Sequence, residues 1–140
     1  MGKQAKNYLE DSESQALFKA AEMVPILRDY LTHYPGGGFR KIREAGRFKK
    51  MGVRAGVSDY FLPVARGAYH SLWVELKAMP LPGGKKTMPT KEQYEWRDLM
   101  LAEGNAAYIV RGWENVLQIL LDYLALEPGQ VLIVDDKHIL

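Results

Sequence analysis

The apolar residues near the start of the chain recur at three- and four-residue intervals, the period of an α-helix. The residues with this spacing are Leu17, Ala20, Ala21, Val24, Leu27 and Leu31. They predict an amphipathic helix over about Asp11 to Thr32. Pro25 lies inside it and lacks the N–H group that a helix interior needs, so we expect a kink or a break into two segments there.

Two strand-like runs follow in the middle of the chain, from Asp59 to Ala65 and from His70 to Ala78. In the second run every other residue from Leu72 to Leu76 is aliphatic, which is the period of a strand with one face in the core. Glu75 and Lys77 therefore share the opposite face of that strand.

A loop and a helix are predicted next. Three prolines and two glycines fall between Met79 and Pro89, so this stretch is predicted to be a loop. Thr90 and Gln93 have the spacing of a capping box that opens a helix, and Gly104 suits the C′ position that closes it. The buried stripe of this helix is predicted to include Leu99 and Met100.

The last part of the chain predicts a strand from Ala106 to Arg111 and an amphipathic helix from Trp113 to Leu126. The inward residues of that helix are predicted to be Val116, Leu117, Leu120, Leu121 and Leu124. A short strand could follow at Val131 to Val134. The order helix, hairpin, helix, strand, helix predicts a mixed α/β domain.

The composition fits one globular domain. The chain has 140 residues, of which 47% are hydrophobic and 26% charged, so a disordered or fibrous protein is disfavoured. We expect a single domain over 1–140, with a core of about 12–126 and a tail at 127–140. The absence of cysteine excludes disulfides and thiolate metal sites. Residues 1–10 lack the apolar segment of a secretory signal, and a cytoplasmic protein is expected.

Positive charge is concentrated in one segment. Between Phe39 and Arg54 there are seven basic residues and one acidic residue, in a chain whose net charge is only +2. The basic residues are Arg40, Lys41, Arg43, Arg47, Lys49, Lys50 and Arg54. The segment suits contact with nucleic-acid phosphates, because each neutralised phosphate releases counterions, and it suits a solvated loop equally well.

Asp59 begins the first strand-like run and Glu75 lies near the end of the second, so a hairpin could bring the two carboxylates together. The register decides this. A three-residue loop pairs Asp59 with Glu75, a two-residue loop pairs Tyr60 with Glu75, and a bulge at Pro63 would shift the parity by one. Opposed carboxylates suit Mg²⁺ or Mn²⁺, and Lys77 on the same face could stabilise charge on a phosphate. The alternative is a surface Glu-x-Lys ion pair.

Three motifs, in order, resemble the VRR-NUC branch of the PD-(D/E)XK nuclease superfamily. They are Gly52-Val53-Arg54-Ala55-Gly56-Val57-Ser58-Asp59, Trp73-Val74-Glu75-Leu76-Lys77 and Thr90-Lys91-Glu92-Gln93. The resemblance runs from about Ser12 to Leu124 and departs from the family pattern at Ser58, where proline is usual. It implies a restriction-endonuclease-like αβββαβ core with a mixed sheet flanked by helices. That core requires a first strand, expected at about Phe39 to Arg43.

The resemblance also implies roles for individual residues. Asp59 and Glu75 match the metal ligands, with the backbone carbonyl of Leu76 completing the site. Lys77 matches the catalytic lysine of the family.

Two further residues match family positions near the active site. Gln93 matches the motif glutamine, although position N3 of a capping box is a sufficient structural role for it. Glu13 matches an acidic residue that family members place near the metals, with Glu10 and Glu22 as alternatives.

The predicted function is a Mg²⁺- or Mn²⁺-dependent endonuclease that hydrolyses DNA. The basic segment, Lys85 and Lys86 would hold the DNA backbone. The resemblance to small bacterial or phage-encoded members implies a homodimer that acts on branched DNA such as four-way junctions. Two alternatives stay open: a DNA-binding module of the same fold without catalysis, and a protein-interaction domain with an incidental basic loop.

Overall fold

The structure is a computed structural model that describes residues 3–34 and 42–140, with side chains for 9–34 and 46–140. The helices of the described residues are α1 (Lys3–Ala21), α2 (Pro25–Tyr30), α3 (Ile42–Lys50), α4 (Lys91–Ala102) and α5 (Trp113–Leu124). The strands are β1 (Thr32–His33), β2 (Tyr60–Leu62), β3 (Leu72–Lys77) and β4 (Ala106–Arg111). A short 3₁₀ turn covers Asp136–His138.

The four strands form one mixed sheet in the order β1-β2-β3-β4. The β1–β2 and β2–β3 pairs are antiparallel, and the β3–β4 pair is parallel. One face of the sheet packs on α1, α2 and α5 and forms the main core. The fully buried members of that core include Leu17, Leu27, Tyr60, Leu62, Leu72, Val74, Val110, Val116, Leu120 and Tyr123. The order of elements agrees with the predicted αβββαβ core.

The predicted interruption of the first helix is confirmed. α1 ends at Ala21 and α2 begins with Pro25 at its first position, where the missing N–H group has no helical partner to lose. The first strand is not where it was expected. Thr32–His33 pairs with β2, residues 39–41 of the predicted strand lie outside the described residues, and Ile42 and Arg43 begin α3.

The pairing register of the hairpin between β2 and β3 shifts by one residue, which was one of the alternatives that the sequence allowed. Arg66 and Tyr69 pair across a two-residue turn, which continued regularly would place Tyr60 opposite Glu75. Tyr60 instead pairs with Val74, so one extra residue lies on the β2 side. The Val64 N–H donates to the Leu62 carbonyl at 2.9 Å, a γ-turn centred on Pro63 that accommodates this residue. The bulge anticipated at Pro63 is therefore present.

The outer helices differ from the prediction in detail. The capping box and the positive φ of Gly104 are as predicted, but α4 contributes no fully buried residue, and Leu99 is 57% exposed. This helix covers the sheet face that carries Glu75, Lys77 and Arg111 as well as apolar residues such as Trp73 and Ile109. In α5, Val116 and Leu120 are buried as predicted, whereas Leu121 faces outward.

The tail also differs from the prediction. Residues Val131 to Val134 form no strand, and Ile139 makes an isolated bridge to Val110 at the β4 edge instead. None of the helices in the described ranges is long and apolar enough to cross a membrane.

The packing predicts that Leu17→Ala destabilises the protein by about 2–5 kcal/mol, because the side chain is fully buried between α1 and the sheet. Leu99→Ala on exposed α4 is the matched control and should change the stability by less than about 0.5 kcal/mol. Urea unfolding followed by circular dichroism measures both. Equal losses in the two variants would contradict this description of the core.

Candidate functional site

Two carboxylates face each other where β2 and β3 meet. The ladder that pairs Tyr60 with Val74 brings the next residue, Asp59, opposite Glu75. The pair is held by reciprocal hydrogen bonds: the Asp59 N–H donates to Glu75 Oε2 at 3.0 Å, and the Leu76 N–H donates to Asp59 Oδ2 at 2.9 Å. The Asp59 carbonyl accepts a hydrogen bond from the Tyr34 N–H at 2.5 Å. Asp59 is thus fixed by β3 on one side and by the residue after β1 on the other.

The other oxygen of Glu75 contacts two further groups. Gln93 Nε2 donates to Glu75 Oε1 at 2.5 Å, and Lys77 Nζ lies 3.5 Å from the same oxygen. Gln93 also completes the capping box, since its Oε1 accepts from the Thr90 N–H. The capping-box role of Gln93 and its contact with Glu75 are therefore compatible, because one side-chain amide group serves both the helix and the carboxylate.

The acidic pair and its lysine are shielded from water. Glu75 and Lys77 are 4% and 6% exposed, so they do not form the surface ion pair that was the alternative interpretation. Burial raises the pKa of Asp59 to about 6. Burial, and then the charge of Asp59, raises the pKa of Glu75 to about 8. Two carboxylates held this close in a poorly hydrated site repel each other, and one lysine does not fully compensate them.

A cleft of about 840 Å³ opens beside the acidic pair. Its walls come from the end of α3, the loop 52–57 and the first turn of α4. Asp59, Glu75 and Lys77 line it, together with Lys49 and Arg54 from the basic segment. The cleft therefore places positive side chains around a negatively charged wall.

A close backbone approach fixes one wall of this cleft. Gly56 has φ of +84°, and a Cβ atom there would overlap the backbone carbonyl of Glu92 in the first turn of α4. A glycine is required for both reasons. The motif loop is thus packed against the turn that carries Gln93. Ser58, at the position where proline is usual in the family, is buried immediately before Asp59.

Glu13 lies outside the cleft lining. Its carboxylate accepts hydrogen bonds from the Met79 N–H at 3.0 Å and from the Trp113 N–H at 3.3 Å, which ties α1 to the end of β3 and to the start of α5. Both oxygens thus serve backbone donors, and burial raises the pKa of the group. Glu10, one turn earlier in α1, lines the cleft instead, and its negative charge contributes to the raised pKa of Asp59. Glu22 is exposed, and it does not line the cleft.

The predicted DNA-contacting residues divide into three groups. Lys49 and Arg54 line the cleft, whereas Arg47, Lys50, Lys85 and Lys86 are exposed outside its lining. Arg40, Lys41 and the side chain of Arg43 lie outside the described residues. The structure therefore brings part of the basic segment to the acidic pair.

One residue near the site was missed by sequence reasoning. Arg111, the last residue of β4, pairs in register with Lys77 and is 5% exposed. The signal in the sequence was an arginine directly after the aliphatic pair Ile109 and Val110 in a predicted strand. A charged residue at the end of a buried strand is either exposed to solvent or part of a polar site.

The donor set at the acidic pair suits a hard divalent cation. The oxygens are carboxylates, and the Leu76 carbonyl points to the same side of β3 as its N–H group, toward Asp59. A cation would relieve the repulsion that raises both carboxylate pKa values. Within the described residues, no cluster of three or more His, Cys, Asp and Glu side chains has the geometry of a metal site. A cation at this position would therefore be held by two carboxylates together with backbone and cleft groups.

Comparison with solved structures finds a "VRR_NUC domain protein" that superposes with a TM-score of 0.75 at 29% sequence identity. The match covers 89% of this chain and 97% of that chain. No protein-family model matches the chain, and no curated protein matches it.

The mixed sheet, the flanking helices and this neighbour define an α/β domain of the restriction-endonuclease-like, nuclease type. Within that class, the chain has the fold of a VRR-NUC domain over nearly its whole length, and the resemblance predicted from the three motifs is confirmed.

The raised pKa values predict a pH-dependent cost in stability. Between pH 4 and 8 the folded protein binds more protons at Asp59 and Glu75 than the unfolded chain does, so these groups make folding less favourable as the pH rises. Asp59→Asn keeps an acceptor for Leu76 and removes one charge. In EDTA at pH 8 this variant should unfold at a higher temperature than the wild type. The expected gain in the free energy of unfolding is on the order of 2 kcal/mol.

The advantage of Asp59→Asn should shrink towards pH 4, where both carboxyl groups are protonated in the folded protein. Differential scanning calorimetry at a series of pH values measures this. Asp98→Asn on exposed α4 is the control and should show no such trend. A wild type that is as stable as Asp59→Asn at pH 8 would contradict the burial of an uncompensated acidic pair.

The close approach at Gly56 predicts that Gly56→Ala moves the motif loop away from α4 and weakens the Gln93–Glu75 contact. The variant should lose more stability than Gly129→Ala, which has a similar positive φ of +80° but open space around it. Gly129→Ala carries only the backbone strain, roughly 1–2 kcal/mol. Thermal unfolding of both variants measures the difference, and equal losses would mean that the contact with Glu92 does not matter.

Proposed function

We propose that this protein is a Mg²⁺- or Mn²⁺-dependent endonuclease that hydrolyses phosphodiester bonds in DNA. The observation that carries the proposal is the direct opposition of Asp59 and Glu75, with Lys77 beside them, on the wall of a cleft that Lys49 and Arg54 also line. Hard oxygen donors that can hold a divalent cation, and positive charge beside them, are features that promote phosphodiester hydrolysis. The similarity to a VRR_NUC domain protein supports the same chemistry.

Asp59 and Glu75 would hold the divalent cation through their carboxylates, with the Leu76 carbonyl as a third donor. When bound, the cation supplies positive charge that polarises the scissile phosphate. Glu10 rather than Glu13 is the acidic residue of α1 proposed to assist, since it lines the cleft while both oxygens of Glu13 accept backbone hydrogen bonds.

Lys77 and Gln93 would act on the reacting groups and on Glu75. The Lys77 ammonium group, 3.5 Å from Glu75 Oε1, is placed to orient the attacking water or to stabilise charge that develops on the phosphate. Gln93 holds the Glu75 side chain in one orientation through its amide N–H. An oriented carboxylate costs less reorganisation during the reaction.

The basic residues would hold the DNA backbone without reading its sequence. Lys49 and Arg54 line the cleft, and Arg47, Lys50, Lys85 and Lys86 are exposed and would contact phosphates farther along the DNA. Such contacts neutralise phosphates and make binding sensitive to salt. We propose a homodimer that acts on branched DNA such as four-way junctions, because two sites related by a twofold axis suit symmetric cleavage.

The test is cleavage of a labelled four-way junction and a matched linear duplex with Mg²⁺, with Mn²⁺ and with EDTA. Lys77→Met should lower the rate by a factor of at least about 100 and leave the affinity for DNA nearly unchanged. Lys91→Met is the matched control, since Lys91 is exposed on α4 and pairs only with Glu95 in the described structure. It should cleave like the wild type.

The outcomes separate the possible functions. Cuts that need a metal, fall symmetrically on the junction and disappear in Lys77→Met support the nuclease. Salt-sensitive DNA binding without cleavage under any metal condition would indicate a DNA-binding module of this fold and contradict the proposal. No DNA affinity even at low salt would also contradict it and favour a protein-interaction domain.

A further inference from the structure

Arg111 is a buried cation whose contacts are backbone carbonyls rather than carboxylates. Its Nη1 donates to the Ala78 carbonyl at 3.3 Å, and its Nη2 donates to the Thr87 carbonyl at 2.9 Å and approaches Met88 Sδ at 3.9 Å. Among the described residues no carboxylate pairs with it. Burying a charge without a carboxylate partner costs free energy. The planar guanidinium group offsets part of this cost, because its N–H groups can donate to two separate carbonyls at once.

The two carbonyls lie at the two ends of one segment, which we call the strap, residues 79–89. Ala78 immediately precedes the strap and directly follows Lys77 of the acidic site. Thr87 lies near its far end, three residues before the N-cap residue Thr90. Between these two points the strap contains no helix or strand, and Lys85 and Lys86 are exposed. Arg111 therefore ties both ends of an otherwise exposed segment to β4.

The strap leads directly into α4, the helix whose first turn carries Gln93. α4 contributes no fully buried residue. Its contacts with the rest of the protein include the edge-to-face packing of Trp96 on Trp73 at 5.3 Å, the Arg97 hydrogen bond to the Leu140 carbonyl, and Gln93 on Glu75. The entry segment is therefore one of the contacts that set the position of the first turn of α4, beside the packing of Gly56 on Glu92.

We propose that Arg111 is a positioning residue that clamps the strap and so holds the first turn of α4, with Gln93, against Glu75. Arg111 is absent from the cleft lining, so it acts through the strap and not on the substrate. Its effect on catalysis rests on the proposed nuclease function, whereas its effect on the strap does not.

The first experiment measures the clamp itself. Native protein is treated with trypsin, and cleavage after Lys85 and Lys86 is followed by mass spectrometry. Arg111→Met removes the fork and keeps a long buried side chain, so it should be cut in the strap about tenfold faster than the wild type. Arg111→Lys keeps the charge without the fork and should be intermediate, which also covers the case that Arg111→Met does not fold. Arg28→Met, at an exposed arginine paired with Asp29, should be cut like the wild type.

The second experiment tests whether Arg111 affects catalysis through Gln93. Gln93→Glu keeps the N3 acceptor of the capping box and removes the amide donor to Glu75. If Arg111 acts through Gln93, Arg111→Met lowers kcat about tenfold in the wild type and has little further effect in Gln93→Glu. Losses in kcat that multiply in the double variant would overturn the proposed path.

Strap cleavage that stays at the wild-type rate in both Arg111 variants would overturn the clamp. If the wild type shows no nuclease activity, the trypsin result still decides whether Arg111 holds the strap. The failure of the proposed function is then visible separately from a failure of the clamp.

Discussion

The parity of the β2–β3 pairing decides which side chains can meet in this protein. Successive residues of a strand point to opposite faces, so a shift of one residue would turn Asp59 away from Glu75. The two-residue turn at the hairpin tip favours the unproductive parity, and the γ-turn at Pro63 corrects it by taking up one residue. The same shift keeps Tyr60 and Leu62 in the core. Core packing and the acidic site therefore select the same register.

The site that results is held by backbone donors as much as by side chains. The N–H groups of Asp59 and Leu76 each donate to the carboxylate of the other strand, so the protein itself fixes the geometry of the pair. Pre-organisation of this kind lowers the cost of binding a charged ligand. It also places two acidic groups in a poorly hydrated position, which costs stability in the absence of a cation. The acidic pair therefore makes the folded protein less stable than a neutral pair would, a cost of the kind that functional sites commonly carry.

Much of the fold could be predicted from the sequence, because its signals are local. The capping box at Thr90, the break at Pro25 and the β4 strand follow from residue chemistry at fixed spacing. The first strand could not be placed, since two residues at a sheet edge leave no periodic pattern. The exposure of Leu99 was also unpredictable, because the apolar spacing of α4 does not show which of its apolar residues turn toward the sheet.

The candidate site was only partly predictable for a similar reason. The motif spacing indicated Asp59, Glu75 and Lys77, but the choice between Glu10 and Glu13 depends on which turn of α1 faces the cleft. Arg111 carries no motif, and only the pairing of β4 with β3 brings it beside Lys77.

The most direct test of the central claim is a Mn²⁺ titration of protein labelled with ¹⁵N-leucine, followed by amide NMR signals. Mn²⁺ broadens the signals of nearby nuclei, so the Leu76 amide should disappear at substoichiometric Mn²⁺, while the amide of Leu99 on the outer side of α4 persists. Glu75→Gln should abolish the selective loss. Broadening that does not single out Leu76, or that is unchanged in Glu75→Gln, would contradict a cation site between Asp59 and Glu75.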